Sequence, residues 1–159
     1  MRITIIALGK LKEKYLQDGI QEYLKRLTPW AKMEIIQLAD EKIPNNGSQG
    51  EIEKIKEKEG QRILASLPAN CYHIALDIKG ENLASEALAA KIADLTVNGY
   101  SHLVFSIGGS LGLSPQVTES ADFLLSFGKM TFPHQLMRLI LAEQIYRVFK
   151  INRGESYHK

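Results

Sequence analysis

Residues His102 to Pro115 read HLVFSIGGSLGLSP. The run opens apolar and strand-like, passes through Gly108, Gly109 and Gly112, and ends in Ser-Pro. Ser114 is placed to cap a helix and Pro115 to occupy its first position. A strand that turns through glycines straight into a helix is the repeating unit of an α/β fold.

The unit recurs on both sides of this stretch. RITIIALG (2–9), KMEIIQLAD (32–40), CYHIALDIKG (71–80) and the start of DFLLSFGKMTFPH (122–134) read as further strands. Between them lie helical patterns: KEKYLQDGIQEYLKRL, stopped by Pro29; EIEKIKEKEGQRILASL, with Ile52, Ile55, Ile63 and Leu64 on its buried side; and SEALAAKIADLTVNG, closed by Gly99. HQLMRLILAEQIYRVFKI forms a long last helix. The alternation predicts an α/β domain spanning 1–159, a mostly parallel sheet with helices on both faces. Ligands bind such sheets beyond the carboxyl ends of the strands. There ALDIKG, SIGGSLG and SFGKMTFPH should meet.

Composition narrows the function classes. A chain of 159 residues with 45% hydrophobic and 24% charged content suits one globular domain with a real core. No apolar run approaches the roughly 20 residues that span a membrane, and the amino-terminal apolar run is too short for a signal peptide. A cytoplasmic protein with no membrane partner is expected. Cys71 is the one cysteine, which excludes an internal disulfide and a multi-cysteine zinc site; no metal is expected. Twenty basic residues against 18 acidic ones, net +2, do not advertise nucleic-acid binding by charge alone. DNA is not an expected partner. An RNA would have to be met by a local patch, a dimer or a structured RNA surface.

The glycine spacing rules out two common ligands. Gly108 and Gly109 are adjacent, which breaks the dinucleotide fingerprint G-x-G-x-x-G, and no Lys-Ser or Lys-Thr follows to make a P-loop. The helix after the loop is too short to anchor a pyrophosphate well. Two readings remain: a tight strand-to-helix turn, or a backbone opened for close approach by a flat ligand. A second glycine loop at Gly128, placed at the same sheet edge, points towards a shared pocket.

The carboxyl-terminal stretch adds charge and aromatic groups. His134 follows Pro133 at the start of the last helix, which is apolar nearly all round and so needs covering on most sides, by the sheet and by a second subunit. Glu143 and Arg147 stand four apart, as in an ordinary helix ion pair worth about 0.2–0.5 kcal/mol. The tail NRGESYHK is either a frayed terminus or an RNA-facing segment. In the second reading Tyr157 stacks on a base, His158 titrates near neutrality, and Arg153 and Lys159 hold phosphate. His73 and His102 begin strands and read as structural, and Cys71 as a core or edge thiol.

Taken together, SIGGSLGLSP, FPHQLMRLILAEQIYR and the terminal SYHK resemble the SPOUT methyltransferases, over the whole chain. Within them the match is to the ribosomal RNA large subunit methyltransferase H family, which methylates N3 of a pseudouridine in 23S ribosomal RNA. The resemblance implies a carboxyl-terminal trefoil knot, which periodicity does not reveal and general topology rules argue against. It also implies S-adenosyl-L-methionine as cofactor, a homodimer, and the assembled ribosome as substrate. Carried over residue by residue, Leu76, Gly108, Phe127, Gly128, Lys129, Met130, Thr131 and Phe132 surround the cofactor. His134, Arg147, Tyr157 and His158 form the catalytic set, with His134 and His158 as candidate bases and the tail of one subunit completing the site of the other. Two rivals stand beside this: an RNA-binding assembly factor without chemistry, and a SPOUT enzyme that methylates a transfer-RNA ribose.

Overall fold

The structure, a computed structural model, describes residues 1–157. Five strands, β1 (Arg2–Leu8), β2 (Lys32–Leu38), β3 (Tyr72–Asn82), β4 (His102–Ile107) and β5 (Phe123–Ser126), form one sheet in the order β2-β1-β4-β3-β5. Every pairing in it is parallel. Five helices alternate with the strands: α1 (Lys14–Leu27), α2 (Gln49–Ala65), α3 (Ser85–Val97), α4 (Pro115–Ser120) and α5 (His134–Asn152).

Successive side chains on a strand face opposite ways, and the two sheet faces show it. On β1, Ile3, Ile5 and Ala7 join the larger core with Leu103, Phe105 and Leu141, while Ile6 and Leu8 join a smaller one with Ile63, Val104 and Val117. α5 packs against α1 and α3 on the first face, and α2 packs against α4 on the second. Because both faces are covered, β1 is buried from Ile3 to Leu8 and reads as a continuous apolar run interrupted by Thr4 alone.

Two local features depart from the sequence reading. β3 extends past Gly80 to Asn82, and its pairing with β5 slips between Leu76 and Glu81, both of which lie opposite Leu125. Residues 77–80 therefore leave the ladder as a bulge at the carboxyl end of the sheet, where bulges often re-aim side chains at a site. Ser114 stands at the N-cap of α4 as expected, but its hydroxyl makes no cap hydrogen bond. It is buried against Gly60 of α2 instead. On α2, Ile63 is buried as expected, whereas Ile52, Ile55 and Leu64 are half-buried; the other fully buried side chain is Glu59.

The histidines at the strand starts are structural. His102 pairs with Thr4 Oγ1 at 2.9 Å, and His73 Nε2 with Ser106 Oγ at 2.8 Å. His73 is buried with Nδ1 unpartnered, and burial holds its pKa below the usual histidine value. A histidine that stays neutral when folded takes up a proton on unfolding, so its contribution is present above the unfolded pKa and is lost as pH falls below about 6.5. We expect the melting temperature to drop between pH 7.5 and 5.5. The drop should shrink by a few degrees in His73→Gln, a comparison that cancels the other titrating groups.

Candidate active site

Three chain segments converge at the carboxyl ends of β3, β4 and β5. They enclose a cleft of about 140 Å³ lined by apolar Leu76, Ile107, Leu125, Phe127 and Met137, by Gly108 and Gly109, and by Gly128, Met130, Thr131, Phe132 and His134. Of the eight residues expected around a cofactor, Leu76, Gly108, Phe127, Gly128, Met130, Thr131 and Phe132 line this cleft, and Lys129 does not. Asp77 and Ile78 also line it, carried there by the β3 bulge. Spacing alone gives no sign of that bulge.

Gly108 is needed by its own loop. A Cβ there would stand 2.6 Å from the carbonyl carbon of Gly112 and 2.9 Å from its oxygen and from Leu113 N. The loop folds back on itself over the strand end, closed by Gly112 N–H donating to Gly109 O at 3.0 Å. Any side chain at 108 forces that backbone apart. Gly128 differs: its φ of +116° suits glycine alone, and nothing crowds its Cβ direction. Its N–H donates to Ser126 Oγ at 3.1 Å, fixing the chain as it leaves β5. Gly108→Ala should therefore cost about 1–3 kcal/mol of stability. Chemical denaturation would read that loss.

A second, larger cavity of about 400 Å³ lies on the other side of Gly109 and His134, which line both. Its wall is polar, with Asp40, Glu41, Lys42, Glu59 and Ser110 beside Leu8, Ile43 and Leu111. His134 opens α5 between the two spaces. Burial lowers its pKa first, the nearby Arg138 charge lowers it further, and Asp40 opposes them. The imidazole is thus neutral at pH 7 and free to accept a proton.

At the other end of α5 sits a separate cluster. Arg147 donates to Glu143 through Nη2 at 2.6 Å and Nε at 3.1 Å, the ion pair that the spacing predicts. The Tyr157 hydroxyl donates to the same Glu143 oxygen at 3.1 Å, its ring meets Tyr146 edge-on, and the Arg147 guanidinium lies 4.8 Å over its face. Burial, then contacts with Tyr23 and Glu143, push the Tyr157 phenol well above its usual value, so it acts as a donor at neutral pH. The tail is docked as far as Tyr157, while His158 and Lys159 lie outside the described residues. Arg147 lies thirteen positions after His134 on α5, roughly 20 Å at 1.5 Å per residue. Among the described residues, one chain does not bring His134 together with Arg147 and Tyr157.

Comparison with known proteins decides the family. A family model described as "Predicted SPOUT methyltransferase" matches residues 1–158. The chain belongs to the SPOUT methyltransferases. With that membership the parallel sheet and its helices are the α/β-knot fold, and the protein is a methyltransferase by family. Its relatives include proteins named "Ribosomal RNA large subunit methyltransferase H" from Carboxydothermus hydrogenoformans, 60% identical, and Clostridioides difficile, 58% identical. A third from Halothermothrix orenii is 54% identical, and each match covers 100% of both chains. No helix among the described residues of this SPOUT protein is long and apolar enough to cross a membrane.

Proposed function

We propose that this SPOUT methyltransferase transfers a methyl group from S-adenosyl-L-methionine to N3 of a pseudouridine in 23S ribosomal RNA, acting on the assembled ribosome in the cytoplasm. One observation carries the cofactor: the cleft between the Gly108 loop and residues 127–132 is lined by apolar side chains and glycine backbone, with Asp77 but no lysine or arginine. A pyrophosphate would find no cation there. An adenosine-like, positively charged ligand fits. Leu76, Leu125, Phe127 and Met137 would hold the adenine, while Gly108, Gly128, Met130, Thr131 and Phe132 close over the rest. Bound there, the cofactor supplies an electrophilic methyl group.

The chain's own groups then have three tasks. They must align the base, exclude water and take the N3 proton. Neutral His134, at the wall between cleft and cavity, is placed to accept that proton. Tyr157 and Arg147 would contact the base and its phosphate, with His158 as the other candidate for the proton. Since Arg147 lies about 20 Å along α5 from His134, and Tyr157 packs on Arg147, their service at one site needs a second copy.

The surface of α5 supports that homodimer. Leu136, Ile140, Glu143 and Arg147 form one stripe at i, i+4, i+7 and i+11, running from the His134 end to the tail end. Leu136 and Ile140 are only half-buried and belong to neither core. An antiparallel partner helix over this stripe would set the tail of one subunit beside the His134 of the other.

The test supplies labelled cofactor with naked 23S RNA, large subunits, whole ribosomes and transfer RNA side by side, and maps the methylated nucleoside by mass spectrometry. Label on N3-methylpseudouridine from whole ribosomes is the expected result. Label on a transfer-RNA ribose, or on nothing, rejects the reading.

A further inference from the structure

The 400 Å³ cavity has a buried carboxylate aimed into it whose second oxygen has no described donor. Glu59 is 4% exposed and lines the cavity. Its Oε1 accepts the Glu41 backbone N–H at 2.9 Å, which fixes the side chain. Its Oε2 faces Gly109, standing 3.4 Å from where a Cβ on that residue would be. That oxygen is not sealed from solvent, so it stands open to the cavity as an acceptor for whatever enters there. No metal accounts for it: among the described residues no three His, Cys, Asp or Glu side chains come close enough to hold an ion.

The position of the cavity says what the donor is. It shares Gly109 and His134 with the cleft, so a base whose N3 edge meets that common wall extends into the cavity with its next edge. The volume lies within the range of small-ligand sites, about 300–1,000 Å³. In pseudouridine the ribose is attached at C5, so ring N1 carries a hydrogen. Uridine presents a C–H at that place. The N1–H is the one edge feature that separates the two bases, and it is a donor.

We propose that Glu59 is the residue that selects pseudouridine over uridine, its Oε2 accepting the base N1–H while N3 faces the methyl donor. Gly109 is glycine so that the base can reach that oxygen. Burial raises the Glu59 pKa, and the Glu41 N–H bound at Oε1 opposes that shift. A site built around a substrate N–H discriminates strongly against an analogue that lacks it. This inference rests on the pseudouridine reading above.

The experiment compares wild type with Glu59→Gln on ribosomes carrying either pseudouridine or uridine at the acceptor position. It reads kcat/KM for each, and S-adenosylhomocysteine affinity by calorimetry. In Glu59→Gln the amide oxygen stays on the Glu41 N–H and the NH2 group faces the cavity, donor against donor. The wild-type preference for pseudouridine should therefore fall about 10- to 100-fold, with S-adenosylhomocysteine affinity unchanged. An equal fall on both substrates would overturn the proposal, leaving Glu59 a structural residue. Weakened S-adenosylhomocysteine binding would overturn it too, by placing the carboxylate on the cofactor's ammonium group. Should Glu59→Gln fail to fold, Gly109→Ala narrows the same contact from the other side, and an unchanged preference there sinks the idea. Wild type alone tests the underlying reading: if it puts no methyl on pseudouridine N3, that reading fails and takes this inference with it.

Discussion

A chain ending at Ser156 should transfer methyl groups at least ~10³-fold more slowly than the full chain while binding S-adenosylhomocysteine with unchanged affinity. The missing residues are Tyr157, His158 and Lys159. Among the described residues the cleft draws on residues 76 to 137 and not on Tyr157, so its own lining is left intact. Tyr157 does contribute packing, through its ring against Tyr146 and its hydroxyl to Glu143, so stability should fall modestly. Tyr157→Phe keeps the ring and removes the hydroxyl, separating the two effects. A truncated chain that turns over normally would remove the tail from the reaction.

The same truncation tests whether the tail acts across subunits. A subunit without its tail still has a cleft, and a Gly108→Val subunit still has a tail. Each homodimer should be nearly inactive. Mixed dimers made by co-expression should recover activity, because one of the two composite sites pairs an intact cleft with an intact tail. Recovery to about a quarter to a half of wild-type turnover is the expected range for one working site in two among mixed and unmixed dimers. If each tail serves its own cleft, no pairing of these two subunits recovers anything.

Much of this was legible in the sequence because it depends on local chemistry. The strand runs are apolar and short, the helices carry caps or stops such as Pro29 and Gly99, and their alternation is enough for a parallel sheet. The cleft was legible for a related reason. Parallel strands put their following loops at one edge, so Gly108 and Gly128 could be placed together without knowing the topology. What stayed hidden depends on long-range geometry. The β3 bulge that delivers Asp77 and Ile78 arises from the pairing with β5, and nothing in DIKG marks it. Glu59 sits in a run of charges where a glutamate ordinarily faces solvent, and only the folded chain shows its burial. The separation of His134 from Arg147 follows from helix length and could have been counted, yet its meaning needs the cleft at one end only.

Arg138 was hidden in the same way, and its loss should be the most damaging single change to the fold. It lies on α5 one turn after His134 and is 1% exposed. Its Nη2 donates to the carbonyls of Leu8 at 2.5 Å and Gly9 at 2.9 Å, and Nη1 reaches Gln37 Oε1 at 3.4 Å. Leu8 and Gly9 end β1 at the edge where the cavity begins, so this guanidinium ties the last helix to the central strand. Burial lowers its pKa and the nearby Asp40 charge opposes that; an arginine nonetheless keeps its charge across the working pH range. Arg138→Met preserves the volume and removes the donors, leaving two carbonyls short of a partner at about 1–3 kcal/mol each. A loss near 3 kcal/mol in chemical denaturation is expected, and Arg138→Lys should recover little of it because an ammonium cannot reach both carbonyls with the same planar fork. There is also a signature that bulk destabilisation would not give. Arg138 helps depress the His134 pKa, so in Arg138→Met the His134 ring should titrate at higher pH, visible by NMR. A His134 that titrates as before would mean the two ends of that turn do not sense each other, and the site's neutral imidazole would then owe its state to burial alone.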